Sequence, residues 1–228
     1  MSEITEKIND IINSKALTRD DFHSLILSTG LNNEYVDEQP PELAEYFGRG
    51  LKIWQYPNQF SEFLEFIRTL NVKSYMEVGC RHGGTFVLVS ETLKRGSSNK
   101  DFSSTACDLI EMSPTLRKYY DISKTVDYWT GSSRTEAFKK FALEKSPEFV
   151  FIDGDHSYAG VKSDFSIFEN NKETKYIVLH DIVNQACPGV VKMWNEIKAD
   201  SRFETREFTK QYLSVPGTFL GIGIAIRK

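Results

Sequence analysis

An α/β fold with a mainly parallel sheet is predicted by three observations. From Val72 onward, short apolar runs alternate with helical patterns, the signature of successive βαβ units. The first run, Tyr75-Met76-Glu77-Val78, breaks into a loop, Gly79-Cys80-Arg81-His82-Gly83-Gly84, and a helical pattern follows at once. Five apolar runs in turn stop at acidic, small or hydroxyl residues, which gathers polar groups along the one edge of such a sheet where ligands bind.

In order along the chain, residues 1–70 show helical spacing and are set apart as an accessory segment ahead of a core at 71–228. Ile4, Ile8, Ile11 and Ile12 share one helix face, and Phe22, Leu25 and Ile26 another. Asn32 to Pro41 is a polar break, and Glu42 to Gly48 suits a short helix. Ile53 to Phe60 leads into an amphipathic helix carrying Phe60, Phe63, Leu64 and Ile67. Strands are then expected near 73–79, 103–108, 125–130, 148–153 and 175–181, with helices near 84–95, 114–120, 134–145, 158–169 and 189–199. Arg202–Lys210 and Thr218–Arg227 are two further β-rich runs, with Pro216-Gly217 as the expected turn between them.

Composition narrows the function. The 228 residues, 40% hydrophobic, suffice for one doubly wound domain and an additional segment. A net charge of -4 and no long Lys/Arg run argue against a nucleic acid partner. No apolar stretch is long enough for a membrane span, and the charged N-terminus has no signal-peptide core, so a soluble, cytoplasmic protein acting on a small molecule is expected. Homo-oligomerisation is left open. Cys80, Cys107 and Cys187 fit neither a disulfide framework nor a zinc motif and read as reduced, structural residues.

The glycine loop carries the first functional signal. Glycine tolerates positive φ and lets backbone approach a ligand, and the first turn of the next helix offers free N–H groups, so the loop should cradle a cofactor. The spacing is not the G-x-G-x-x-G of dinucleotide sites, because Arg81 stands where the second glycine would be. Glu77, Gly79, Gly83 and Gly84 give E-x-G-x-x-x-G-G instead. This pattern resembles motif I of class I S-adenosylmethionine (SAM) methyltransferases, in particular the branch of cephalosporin hydroxylase-like proteins and macrocin-type O-methyltransferases. The resemblance spans about residues 53–228 and implies a Rossmann-like, mainly parallel seven-stranded sheet ending in an antiparallel hairpin, with N-terminal helices ahead of it.

The same resemblance gives the remaining loops their expected roles. Gln55-Tyr56-Pro57 matches a Q-x-P segment that helps close the SAM pocket, which makes Gln55 a cofactor residue alongside Glu77, Gly79, Arg81, Gly83 and Gly84. Asp108 stands where the family places the carboxylate that accepts from both ribose hydroxyls, a role that suits its two acceptor oxygens. Gly131, Ser132 and Ser133 match the segment beside the adenine, although a serine there also suits a helix cap. Asp153-Gly154-Asp155-His156 resembles the family's D-G-x-H segment, and His180-Asp181 the end of its next strand. The resemblance implies Mg²⁺ held by Asp153 and Asp181, with Asp155 or His180 as a third contact, Asp153 also touching the cofactor and sharing the catalytic work, and His156 as the base beside the acceptor. At position 180 some relatives carry an acidic residue where this chain has histidine.

The expected activity is SAM-dependent, Mg²⁺-assisted O-methylation of a hydroxyl on a sugar or natural product, with residues 1–70 covering the acceptor side. Two rivals differ in what they bind. A nicotinamide-dependent dehydrogenase shares the fold class and would bind NADH, whereas a SAM-binding scaffold would bind SAM without transferring its methyl group.

Overall fold

The computed structural model describes residues 2–228, the side chain of Val36 apart. Seven strands form one sheet in the order β3-β2-β1-β4-β5-β7-β6. β1 (Ser74–Val78), β2 (Ser103–Asp108), β3 (Val126–Thr130), β4 (Phe149–Ile152) and β5 (Tyr176–His180) run parallel, and β7 (Ile222–Arg227) lies antiparallel between β5 and β6 (Phe203–Phe208). The strand order reverses between β1 and β4, so a crevice opens beyond their carboxyl ends.

Side chains alternate across the sheet with the period of two that strands impose. Tyr75, Phe149, Phe151, Val178, Ile222 and Ile224 face one apolar layer, and Met76, Val150, Ile152, Ile177, Leu179 and Ala225 the other. The first layer is completed by α3 (Pro57–Ile67), α4 (Gly84–Gly96) and α5 (Pro114–Ser123), the second by α6 (Glu136–Lys145), α7 (Tyr158–Phe168) and α8 (Pro188–Ala199). The two helices at the N-terminus, α1 (Glu3–Ile12) and α2 (Arg19–Thr29), add Ile8, Ile11, Phe22 and Ile26 to the same core as β1 and β4. α3 lies directly on the sheet, its Phe63 ring 5.9 Å from Phe151 and 5.6 Å from Phe208.

Local sequence sets the helix starts. Ser2, Ser113, Thr135 and Ser157 each accept a backbone N–H of the first turn, and Thr18 with Asp21 makes a full capping box. Pro57, Pro114 and Pro188 open α3, α5 and α8, where no N–H is needed. Because Thr135 is the cap, α6 begins at Glu136, two residues later than its periodicity predicts. The expected segment 42–48 is a 3-10 turn over Pro41–Tyr46. Among the described residues no helix is long and apolar enough to cross a membrane.

The terminal hairpin departs from expectation in its connection. Pro216-Gly217 is not a tight turn between β6 and β7; the chain from 209 to 221 instead folds back over α3. Gln59 of α3 anchors both ends of this excursion, donating to the Lys210 carbonyl at 3.1 Å and accepting from the Gly221 N–H at 2.9 Å. Tyr56, Val215, Phe219 and Leu220 bury a small apolar cluster beneath it.

Candidate active site

The glycine loop takes its shape from packing. Gly79 has φ +91°, and a Cβ there would stand 2.1 Å from the Asp153 carbonyl oxygen, so glycine is what lets β1 and β4 close together at their ends. Gly83 has φ +86° and caps α4, where a Cβ would strike the Leu116 side chain at 2.4 Å. The close approaches that these glycines permit are therefore to the protein itself. Ser113 fastens the loop from outside by donating to the His82 carbonyl at 2.8 Å.

One cleft of about 670 Å³ runs beyond the strand ends. Glu77, Gly79, Arg81, Gly83, Gly84, Asp108, Gly131, Ser132, Ser133, Asp153, Asp155, His156, His180 and Asp181 all line it, so the structure brings the residues from five separate loops into one space. Asp108 is oriented there by two backbone donors, Arg81 N–H at 2.6 Å and Ile110 N–H at 3.2 Å, leaving carboxylate acceptor positions for further donors. Arg81 sits at φ +40° with its guanidinium committed elsewhere, 2.5 Å from Glu34 and stacked 4.7 Å above the Trp54 ring.

Two expected site residues lie differently. Gln55 does not line the cleft: Lys52 and Trp54 do, while Ile53 and Gln55 are turned inward and buried. The Gln55 amide makes no hydrogen bond among the described residues. Asp155 is drawn away from the neighbouring carboxylates, because it accepts from the Ser157 N–H at the start of α7 and pairs with Arg134. The third member of the ligand-like group is therefore His180, not Asp155.

Glu77 occupies the cleft floor, 1% exposed, with the Tyr75 hydroxyl donating to its carboxylate. Burial pushes its pKa up to about 8, against the Tyr75 bond and with help from Asp153 and Asp108. Folding thus favours the protonated acid: its cost to stability is absent below about pH 4.5, the unfolded value, and grows as the pH rises toward 8. Glu77→Gln keeps an acceptor for Tyr75 and removes that cost. Thermal melts should show the variant gaining on wild type between pH 5 and 8, and a gap that does not change with pH would contradict a protonated Glu77.

At the far end of the cleft two carboxylates and two imidazoles meet. His180 Nδ1 lies 3.0 Å from Asp153 Oδ1 and 3.5 Å from Asp181 Oδ2, and His156 Nε2 lies 3.2 and 3.4 Å from the same two oxygens. Asp181 has φ +62°, an uncommon conformation for a non-glycine residue, and Asn184 donates to its other oxygen at 2.8 Å. Burial opposes charge on both carboxylates, yet the His180 and His156 imidazoles hold them below the usual range. The bond to Asp153, then the contact with Cys187, raises His156 to about 11. Burial works against the charge on His180, but Asp153 and Asp181 push it up to about 10. Beside these two carboxylates the protonated form of His156 is favoured, whereas a general base must be neutral.

The donor atoms fit a divalent cation: one each from Asp153, His180 and Asp181 lie within 4.8 Å of one another. Cys187, expected to be merely structural, places Sγ 3.5 Å from His156 Nδ1 and 3.6 Å from Asp181 Oδ2. A lone cysteine at the start of α8 has no spacing signal that would have revealed this. Glu38, from the N-terminal segment, also lines the cleft; burial first and the Asp181 charge second raise its pKa. Tyr35 and Trp54 complete that wall, with ring centroids 5.5 Å apart.

Residues 76–182 match a family model described as a methyltransferase domain. No curated protein matches the chain in sequence. In structure the chain is similar to the O-methyltransferase from Bacillus cereus in complex with SAH, with 14% identity over 100% of this chain and 98% of that one and a TM-score of 0.55. It is also similar to the O-methyltransferase TomG from Streptomyces achromogenes, involved in tomaymycin synthesis and in complex with SAM, with 10% identity over 93% of this chain and 100% of that one and a TM-score of 0.51. A third likeness is to cofactor-bound Rv0187 from MTB, at 11% identity over 78% and 82% of the two chains and a TM-score of 0.52. At such identities the likeness is one of fold.

Proposed function

We propose that the chain is a SAM-dependent methyltransferase that acts on a hydroxyl of a small molecule such as a sugar or natural product, with a divalent cation bound; the match of residues 76–182 to a methyltransferase domain and the likeness of fold support this reading. The observation that carries this reading is the layout of one cleft: the backbone-oriented Asp108 carboxylate stands beside the glycine loop, and the Asp153, His156, His180 and Asp181 cluster stands at the other end.

In this reading Asp108 would accept from the ribose hydroxyls, and Gly131, Ser132 and Ser133 would flank the adenine, in the same cleft that His156 lines. Asp153 and Asp181, with His180, would hold the cation, which would supply a lower proton affinity at an acceptor hydroxyl. His156 Nε2 takes the hydroxyl proton, a role open to it once the charge on the two carboxylates is compensated. SAM would supply the electrophilic methyl group: the acceptor oxygen would form the C–O bond as the C–S bond breaks, with the electron pair left on sulfur as a neutral thioether. Tyr35, Glu38, Lys52 and Trp54, from the segment ahead of the core, supply the wall against which the acceptor lies.

The test is S-adenosylhomocysteine release with a panel of glycosides, polyols and phenols, with NADH binding measured alongside. Acceptor-dependent release is the expected result. Saturable SAM binding with no transfer to any member would favour a scaffold, and NADH binding in place of SAM would replace the cofactor assignment.

A further inference from the structure

We propose that the cluster at the ends of β4 and β5 selects a first-row transition-metal dication over Mg²⁺, using the carboxylates of Asp153 and Asp181 and an imidazole nitrogen of His180. Mg²⁺ favours an octahedron of oxygen donors and gives up its waters reluctantly, whereas imidazole nitrogen suits metals such as iron, nickel and zinc. A carboxylate at position 180 would complete an oxygen set. This chain places a histidine there, 4% exposed, with Nδ1 3.0 Å from Asp153 Oδ1 and 3.5 Å from Asp181 Oδ2. Rotamer freedom in so closed a site is small, so the nitrogen stays where a third donor is needed.

Two further observations point to a cation of this kind. Among the described residues no lysine or arginine pairs with Asp153 or Asp181, so the only positive groups touching these largely buried carboxylates are imidazoles, which a metal can use as ligands. The environment is also soft on one side, since Cys187 Sγ stands 3.6 Å from Asp181 Oδ2. Asn184 fixes the second oxygen of Asp181, the kind of outer contact that orients a ligand carboxylate.

The inference rests on the proposed reading of the same cleft for the place of the cation, and on the donor atoms for its identity. The full-length protein, stripped with EDTA, is titrated with Co²⁺ and followed by its visible d–d absorption, then challenged with Zn²⁺ or Mg²⁺. A saturable cobalt spectrum is expected, lost to roughly equimolar Zn²⁺ and retained in about a hundredfold excess of Mg²⁺. In His180→Asp, Co²⁺ affinity should fall at least about tenfold and Mg²⁺ should begin to compete. Absence of a saturable spectrum, or displacement of Co²⁺ by equimolar Mg²⁺ from the wild type, overturns the inference; if the variant does not fold, this wild-type competition decides alone. SAM calorimetry on the same stripped sample keeps the two readings apart. SAM binding without cobalt binding removes only the metal inference, while cobalt binding without SAM binding removes the methyltransferase reading and leaves the cation site standing.

Discussion

Replacing His156 with alanine is expected to lower kcat by about 10²–10⁴-fold, the usual contribution of a positioned general base. The geometry behind this is specific: Nε2 lies 3.2 Å from Asp153 Oδ1 and 3.4 Å from Asp181 Oδ2, and Nδ1 lies 3.5 Å from Cys187 Sγ, so the ring is fixed from both sides. The side chain is nevertheless 43% exposed and fills no core position, so its loss should leave the fold intact. SAM affinity in the variant should stay within about twofold of wild type, because the expected ribose and adenine contacts lie on other loops. A decrease in kcat below about tenfold would move the base to another group, with Glu38 across the cleft the first to examine. A matching loss of melting temperature and SAM binding would make His156 a structural residue instead.

Gly79→Ala should be strongly destabilising. The new Cβ would stand 2.1 Å from the Asp153 carbonyl oxygen and 2.8 Å from the Gly154 Cα, both backbone atoms, at a φ of +91° that alanine rarely adopts. Neither contact can be relieved by a rotamer change, so the β1 and β4 ends must part. A loss of about 4 kcal/mol or more is expected, the range reserved for backbone strain and core disruption. Gly154→Ala, one residue beyond Asp153, provides the control. Its Cβ would meet only the Asp164 Oδ2 at 3.4 Å and Val78 atoms from 3.6 Å, ordinary contacts, and its cost should be under about 1 kcal/mol. Urea denaturation of the two variants should separate them widely; equal midpoints would contradict the account of why the loop needs its first glycine.

These residues also mark where sequence reasoning succeeds and where it stops. The five parallel strands lie within a residue of expectation, and the three central ones, β1, β4 and β5, are apolar runs buried on both faces that end at glycine or acidic residues. Asp108, Asp153, His156 and Asp181 come together because strand ends in a parallel sheet share one edge, a consequence of topology alone. What the pattern could not supply is the partner of each side chain. Asp155 sits between two good site residues, yet Ser157 and Arg134 claim it. Gln55 lies in a motif, but the alternation of its segment presents Lys52 and Trp54 to the cleft. The connection from β6 to β7 is held by Gln59, whose partners lie 151 and 162 residues away, beyond any local signal. The bond to Asp153, three residues earlier in the same motif, is the largest cause that raises His156 to about 11, and the next, Cys187 at the start of α8, is a contact that no spacing in the motif reveals.

The central claim is that the space between the glycine loop and Asp108 is a SAM site, and calorimetric titration of SAM into wild-type protein and Asp108→Ala tests it most directly. The carboxylate is already oriented by the Arg81 and Ile110 N–H groups and is expected to accept charge-assisted hydrogen bonds from the ribose. Its removal should weaken SAM by about 1.5–3 kcal/mol, roughly 10–150-fold in Kd, without unfolding the protein. Saturable binding to the wild type with that loss in the variant is the predicted result; no binding to the wild type, or equal affinity in the two proteins, would contradict it.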